Sequence, residues 1–157
     1  YDITVELAAE LGQSLKIARL YTQQPAERVI EALEAGRIRP LTPAPEVDAD
    51  GLRAMTNIVA LGGIEQVRAA IETGADVILC GRVTDTATIA ALPIARGEAV
   101  GGAWHGAKIA ECGALCSTNP TSGVILVEFD ETGFTVEAMA ESASSVCGPA
   151  ASSAPAA

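Results

Sequence analysis

The sequence predicts an α/β fold, with a parallel sheet that carries helices on both faces and a β-hairpin at the C-terminal end. Segments with helical spacing alternate with short apolar runs, which is the pattern of repeated strand and helix units. Hydrophobic residues make up 49% of the chain and aromatic residues only 3%, so the core must be built from Ala, Val, Ile and Leu. Such side chains favour helices packed on a parallel sheet over a β-sandwich.

At 157 residues the chain is about one domain long and can bury roughly two-thirds of its unfolded surface. We expect residues 1–140 to form the α/β domain. Residues 141–157 are mostly Ala, Ser and Pro, which cannot bury enough apolar surface to fold. We therefore expect a disordered tail.

The first three predicted elements are a helix, a strand and a second helix. Residues 3–11 place apolar side chains on one helical face, and Gly12 ends that helix. Residues 15–20 alternate between apolar and polar side chains, as a strand does. Residues 26–35 return to helical spacing, and Gly36 ends the second helix.

The middle of the chain predicts a loop, a short strand and a helix. Residues 38–52 are rich in Pro and Asp and are expected to form a connecting loop, with a functional loop as the alternative. A short strand within residues 55–61 ends at a Gly-Gly pair, and a helix follows over 64–73. Asn57 in that strand can direct its amide at a ligand or form a local backbone hydrogen bond.

The next segment is the most informative one for function. Residues 77–80 form an apolar run that predicts a strand buried on both faces, followed directly by Gly81 and Arg82. Residues 84–86, with the sequence Thr-Asp-Thr, predict the capped start of a helix that extends to residue 95 and is interrupted by Pro93.

The last predicted elements are a helix and a hairpin. A Gly-Gly pair opens a helix that runs to Cys116. Residues 124–129 and 134–139 flank the turn sequence Asp-Glu-Thr-Gly, which predicts two antiparallel strands.

The strand end at Gly81 is the predicted ligand site. In open α/β sheets ligands collect at the carboxyl ends of strands. The Arg82 guanidinium, the hydroxyls of Thr84 and Thr86, and the free N–H groups of a helix start suit an anion such as a carboxylate or phosphate. The sequence does not fix the reaction performed on that anion.

Two residues of this site have a structural alternative. An arginine after a buried strand needs either a ligand or an acidic partner, so Arg82 binds an anion or forms a structural ion pair. Asp85 is a general base or a metal ligand in the functional interpretation, and a helix-capping residue in the structural one.

A second group of reactive side chains lies on the helix that begins near residue 101. His105, Lys108, Cys112 and Cys116 are separated by steps of three and four and therefore share a face. A nucleophile, an acid and a base would then line one wall. In the structural alternative Trp104 belongs to the core, His105 is a partly buried, hydrogen-bonded residue and Lys108 is solvated.

Several other kinds of site are disfavoured. A zinc site formed by His105, Cys112 and Cys116 would lack the usual close Cys pair, so no metal is assigned. A Ser-His-Asp triad lacks its Gly-x-Ser-x-Gly elbow, and both nucleotide-binding glycine motifs are absent from the sequence. A Schiff base at Lys108 lacks evidence of desolvation. The sequence identifies no cofactor.

Charge and hydropathy limit the partners. The net charge of −10 repels nucleic acid and anionic membranes, and no apolar run approaches the ~20 residues needed to cross a bilayer. We find no secretory signal. The four cysteines do not form a tight framework, as is typical of free thiols in a reducing compartment. We therefore expect a cytoplasmic protein.

Three sequence blocks resemble one known family. The first is Glu-Leu-Ala-Ala-Glu-Leu-Gly over residues 6–12 with Leu-Lys-Ile-Ala over 15–18, and the second is residues 74–82 with Asp-Thr-Ala over 85–87. The third combines Trp-His at 104–105, Lys108 and Glu-Cys-Gly-Ala at 111–114. In order and spacing these blocks resemble the acyclic terpene utilisation family, and the resemblance covers residues 3 to about 138.

The resemblance implies a larger α/β protein connected with the catabolism of branched terpenoid acids and their coenzyme A thioesters, with the reaction unassigned. Family members carry a Gly-rich segment ahead of the matching part and further chain after it, so an internal fragment or a shortened version is expected. Where the family continues from a Ser-Val pair into a segment with His and Tyr, this chain has Cys-Gly-Pro and an Ala/Ser tail.

Two functional hypotheses follow. In the first, an enzyme or enzyme fragment acts on a small branched carboxylate or acyl-CoA thioester by acid–base chemistry of the lyase or hydratase type. Arg82 and the helix start hold the anion, and His105, Asp85 or Lys108 moves a proton. In the second, a non-catalytic α/β subunit packs in a larger complex. A homo-oligomer or a subunit of a complex is expected in either case.

Overall fold

The fold is seen in a computed structural model, which describes residues 1–112 and 124–139. The predicted class, α/β, is confirmed: β1 and β2 form a parallel pair, and β3 and β4 form a separate antiparallel hairpin. Over these residues there are six helices and four strands, in the order α1 (Asp2–Glu10), β1 (Ile17–Leu20), α2 (Ala26–Glu34), α3 (Ala49–Ala54), α4 (Ile64–Glu72), β2 (Val77–Cys80), α5 (Asp85–Ala95), α6 (Val100–Glu111), β3 (Ile125–Phe129) and β4 (Phe134–Ala138).

The first helices end where the glycines predict. Gly12 and Gly36 follow α1 and α2 with φ angles of 65° and 67°, a conformation that glycine adopts without steric cost.

The apolar face of α1 is less buried than its helical spacing predicts. Ala8 is buried, but Ile3 and Leu7 are 79% and 52% exposed.

The expected loop over 38–52 is partly wrong, because its end forms α3. Asp48 caps this helix, since its Oδ1 accepts a hydrogen bond of 2.8 Å from the N–H of Gly51. An ion pair of 2.8 Å between Arg53 and Glu27 joins α3 to α2. Asp is common both at helix N-caps and in turns. The many Pro and Asp residues of this segment therefore favoured a loop in the sequence.

The expected strand over 55–61 is also wrong, because Val59 makes only an isolated bridge, with Gln23. The segment crosses the carboxyl ends of β1 and β2 instead of following one strand. The N–H of Ala60 donates to the Thr22 carbonyl at 2.9 Å, and the N–H of Gly62 donates to the Arg82 carbonyl at 2.8 Å. The backbone of this segment therefore forms hydrogen bonds both with the chain that follows β1 and with the chain that follows β2.

The pair β1 and β2 is parallel, with Ile17 beside Val77 and Leu20 beside Cys80. Helix α4 packs against both strands. The prediction that β2 is buried on both faces is wrong, because Val77–Leu79 are only half-buried and Cys80 is exposed. In the described residues β2 has one strand neighbour, so its other edge lacks the cover that a central strand has.

The main core lies beneath the chain that follows β2. Val67, Val83, Ala87 and Ala91 form a buried cluster, to which Leu20 of β1 adds a partly buried side chain. Small residues allow α5 and α6 to pack closely. Ala87, Ala90 and Ala91 of α5 are fully buried, as are Ala103 and Ala107 of α6.

The expected interruption at Pro93 is wrong, because α5 continues through it to Ala95. Pro93 lies near the end of the helix, where its missing N–H removes a single backbone hydrogen bond. Helix α6 ends at Glu111, earlier than the predicted end at Cys116, and Cys116 lies outside the described residues. The expected tail over 141–157 also lies outside them.

The C-terminal hairpin was predicted correctly, with Phe129 paired to Phe134. Its turn is built on Asp130, whose Oδ1 accepts hydrogen bonds from the N–H groups of Thr132 at 2.7 Å and Gly133 at 2.8 Å. A hydrogen bond from the Thr132 hydroxyl, followed by the two backbone bonds, holds the pKa of Asp130 below its usual value. None of the helices in the described part is long and apolar enough to span a bilayer.

The hairpin packs on α6 at a glycine. We predict that Gly106→Ala lowers the free energy of unfolding by about 1–3 kcal/mol, because overpacking strains a dense core. The added Cβ would lie 2.6 Å from Phe129 Cε1 and 2.8 Å from Phe134 Cγ. Urea denaturation followed by circular dichroism measures the loss.

Gly101→Ala is the matched control on the same helix, because its added Cβ meets nothing within 4 Å. We expect that variant to be as stable as the wild type or more stable by up to about 1 kcal/mol, through helix propensity. Equal stability of the two variants would contradict the close contact between the hairpin and Gly106.

Candidate functional site

A cavity of about 750 Å³ opens at the carboxyl ends of β1 and β2, the place where the sequence predicted a ligand site. Two guanidinium groups, those of Arg19 and Arg82, line it. Leu20, Val59 and Leu79 supply apolar surface. No Asp or Glu among residues 1–112 and 124–139 is part of its wall. The cavity therefore combines positive charge with apolar contacts.

Thr22 holds the two strand ends together. It is the buried polar residue of the described chain, only 7% exposed, and its Oγ1 accepts a hydrogen bond of 2.8 Å from the N–H of Arg82. The neighbouring N–H of Gly81 donates to the Leu20 carbonyl at 2.8 Å. A Cβ at Gly81 would lie 2.6 Å from Thr22 Oγ1, so the approach requires glycine. The sequence predicts Gly81 as a site residue but not Thr22. The only signal of Thr22 is a hydroxyl just after a strand.

The Arg82 side chain is exposed at the mouth of this cavity. The ion pairs formed within residues 1–112 and 124–139 do not include it, so the structural alternative of an acidic partner gains no support there. Its backbone is fixed by Thr22 while its guanidinium stays available. This arrangement is compatible with the predicted anion contact.

Arg19 is a cavity residue that the sequence interpretation missed. Its Cζ lies 4.4 Å from the centroid of the Tyr1 ring and 4.9 Å from that of Tyr21, so the guanidinium makes cation–π contacts with two aromatic rings. Tyr21 follows Arg19 by two positions, the spacing that places two side chains on one side of a strand, and β1 ends between them at Leu20. That spacing is the signal that would have found the pair.

Cys80 also lines the cavity. Although the residue is exposed, desolvation of the thiol by nearby atoms disfavours the thiolate and raises the pKa of Cys80 above its usual value. The thiol is therefore protonated at neutral pH and adds no negative charge to the site.

The start of α5 is where the sequence placed it, but its capping differs. Thr84 is the N-cap residue, yet its side chain makes no capping hydrogen bond. Thr86 instead donates its hydroxyl to the carboxylate of Glu111 on α6. Asp85 is the first residue of α5, and its carbonyl oxygen accepts a hydrogen bond of 2.6 Å from the Thr88 hydroxyl.

The carboxylate of Glu111, the last residue of α6, contacts the side chains of Lys108 and Cys112. Lys108 Nζ lies 2.8 Å from Glu111 Oε2, and Cys112 Sγ donates to Oε1 at 3.5 Å. The bond to Lys108, followed by that from Thr86, holds the pKa of Glu111 below its usual value. The same ion pair raises the pKa of Lys108, so this amine is an ammonium at neutral pH. The sequence interpretation left Glu111 out of the site.

The remaining predicted residues lie elsewhere. His105 is exposed and packs edge-on against Phe134, with ring centroids 5.1 Å apart. Trp104, the expected core residue of the structural alternative, is 37% exposed. Asn57 accepts a hydrogen bond of 3.1 Å from the side chain of Gln23 rather than bonding its own backbone.

The structure thus separates the predicted site residues into two groups. Gly81 and Arg82 line the cavity, whereas the other six are not among its described lining residues: Asn57, Thr84, Asp85, Thr86, His105 and Lys108. The chain between Arg82 and Thr86 spans at most about 14 Å, and the bond from Thr86 to Glu111 connects that stretch to α6. In the described ranges no group of three or more His, Cys, Asp or Glu side chains is arranged to hold a metal ion.

We predict that Thr22→Val lowers the free energy of unfolding by about 1–3 kcal/mol, because the isosteric side chain leaves the partly buried N–H of Arg82 without an acceptor. Urea denaturation measures the change. Thr22→Ser keeps the hydroxyl and should retain most of the stability. If Ser and Val were equally destabilising, the hydroxyl would have no role in holding the strand ends.

We predict that the stability lost in Glu111→Gln depends on pH. The pKa of Glu111 is lowered in the folded state, so its contribution is complete above the unfolded-state value near 4.5 and disappears as the pH falls through the folded value. Urea midpoints of both proteins between pH 7 and pH 3 measure the difference. In a Lys108→Gln background the pH-dependent part should shrink, and a difference independent of pH would contradict the ion pair.

A family model confirms the resemblance noted in the sequence. The model for the acyclic terpene utilisation family protein AtuA matches residues 1–153, nearly the whole chain. No curated protein and no solved structure matches the chain with significant similarity. The family is named for the utilisation of acyclic terpenes, and the match connects this chain with that process. The chain belongs to the acyclic terpene utilisation family.

Proposed function

We propose that this protein is an enzyme or enzyme fragment acting on a small branched carboxylate or acyl-CoA thioester in the catabolism of terpenoid or other branched acids. The cavity at the carboxyl ends of β1 and β2 would bind the substrate, with Arg82 contacting its anionic group. Membership of the family supports the metabolic setting. The observation that carries the proposal is the Arg82 guanidinium beside apolar surface in one open cavity.

The charge of the molecule makes this cavity distinctive. The chain carries a net charge of −10, yet the described wall of the cavity has guanidinium groups and no carboxylate. An anion is repelled by most of the surface and attracted at this point. Leu20, Val59 and Leu79 offer contacts to a branched hydrocarbon, so the site fits an amphipathic acid better than a purely polar anion.

In this proposal Lys108, Asp85 or His105 moves a proton. None of these three is among the described lining residues of the cavity, so a substrate held by Arg82 must extend beyond the cavity to reach them. Lys108 is held as an ammonium by Glu111 and can donate a proton or a hydrogen bond to a developing negative charge. It is not suited to form a Schiff base, because that requires the neutral amine. Asp85 and His105 are the candidate bases, and the reaction type is of the lyase or hydratase class.

We predict that Arg82→Ala raises the Kd for isovalerate by about tenfold or more, because a charge-assisted contact is lost. Isothermal titration calorimetry measures the binding, with isovaleryl-CoA as a second ligand. The fold should survive, because Arg82 is exposed and its bond to Thr22 uses only the backbone N–H.

Arg68→Ala is the matched control, since Arg68 is an exposed arginine of α4 that does not line the cavity. It should bind isovalerate as the wild type does. Equal loss in both variants would show a general charge effect, and unchanged binding by Arg82→Ala would remove the site.

One observation favours a non-catalytic subunit as the second candidate. The apolar face of α1 is exposed, with Ile3, Leu7 and Leu11 at 79%, 52% and 66% of their full accessible surface. Exposed apolar surface of this kind suits a protein contact. Failure to bind either ligand, together with a molar mass by light scattering above that of a monomer, would favour this candidate.

A further inference from the structure

We infer that the cavity is built for a ligand with two anionic groups, a branched dicarboxylate or the equivalent carboxylated acyl chain, with Arg82 holding one group and Arg19 the other. This inference rests on the proposed function and names the substrate class of the same site. Three observations support it. A second guanidinium, that of Arg19, lines the cavity, and two tyrosine rings contact it. No described carboxylate lines the cavity.

Two aromatic rings hold the Arg19 guanidinium at the cavity. Its Cζ lies 4.4 Å from the centroid of the Tyr1 ring and 4.9 Å from that of Tyr21. Cation–π attraction to both rings restricts the motion of this side chain. The N–H donors of a guanidinium lie in its plane and can form paired contacts with a carboxylate. A guanidinium held in this way loses less freedom when it binds such an anion.

The position of Arg19 places it at the same cavity as Arg82. Arg19 lies beside Leu79 in the parallel register, one position before the end of β1, and Arg82 follows the end of β2 by two residues. Both side chains line the one cavity. Two positive charges thus lie at the same end of the sheet.

The charge balance of the cavity favours two anionic groups over one. Among residues 1–112 and 124–139, the ion pairs are formed by Arg53 and Lys108 and include neither the Arg19 nor the Arg82 guanidinium. No described carboxylate lines the cavity, so a bound monoanion would leave one guanidinium without a counter-charge. A dianion neutralises both, and the apolar wall covers the chain between its ends.

Tyr21 is a positioning residue in this arrangement. It contacts the Arg19 guanidinium with its ring face, so Phe in its place keeps the stack and Ala removes it. A role that depends on the ring alone predicts that Tyr21→Phe behaves as the wild type does. Tyr21→Ala should therefore weaken binding of the dianion more than binding of isovalerate.

The test compares isovalerate with 3-methylglutarate, which has the same branched skeleton with a second carboxylate on one methyl group. Calorimetry at constant ionic strength should show 3-methylglutarate binding the wild type at least about tenfold more tightly. Arg19→Gln should abolish this preference, because it weakens binding of 3-methylglutarate more than binding of isovalerate. Tyr21→Ala should reduce the preference and Tyr21→Phe should retain it.

Each of the other outcomes contradicts either the dianion or the proposed function. Equal affinity for the two acids, or a preference that survives Arg19→Gln, would refute the dianion while leaving the Arg82 site intact. Inorganic phosphate binding as tightly as 3-methylglutarate, with the same dependence on Arg19, would mean a compact anion instead of a dicarboxylate. If neither acid bound, or isovalerate bound without Arg82, the proposed function itself would fail.

Discussion

The parallel pairing of β1 with β2, closed at its carboxyl end by the Thr22 hydroxyl, is the interaction on which the rest of the structure depends. Thr22 accepts the N–H of Arg82, and the glycine before Arg82 lets the two chains approach closely. Because this contact fixes the chain just after both strands, it determines where α5 begins and which side chains surround the cavity. The same bond anchors the backbone of Arg82 and leaves its side chain available.

The core is dense because the residues at its contacts are small. Alanines of α5 and α6 are fully buried against each other, and Gly106 brings α6 close to the aromatic rings of the hairpin. A chain with few aromatic residues cannot fill wide gaps, so it reduces the distance between its elements instead. This packing couples α6 to the hairpin on one side and, through Thr86 and Glu111, to the start of α5.

The functional proposals depend on a contrast between global and local charge. A strongly acidic molecule concentrates two unpaired guanidinium groups, among its described residues, on a partly apolar cavity. The second polar group, formed by Lys108, Glu111 and Cys112, is internally neutralised by its ion pair and differs from the cavity in that respect. In the proposed function the cavity binds the anion, and the cluster formed by Lys108, Glu111 and Cys112 exchanges or positions a proton.

The sequence by itself determined most of the local elements and the family. Helical spacing, glycine stops and the turn built on Asp130 gave α1, α2, α4 and the hairpin, because each depends on residues close together in the chain. The strand over residues 77–80 and the helix start at Asp85 were predictable for the same reason. The residues that resemble the family also lie in local blocks, and the family match confirms them.

Only the tertiary structure decided what these elements place together. Arg19 and Arg82 are far apart in the chain and meet at one cavity through the parallel register, which no local pattern specifies. The same holds for Thr22 beneath Arg82 and for Glu111 beside Thr86. Burial was misjudged where it depends on neighbours, as at β2 and on α1, because an apolar pattern shows that a side chain can be buried but not what covers it.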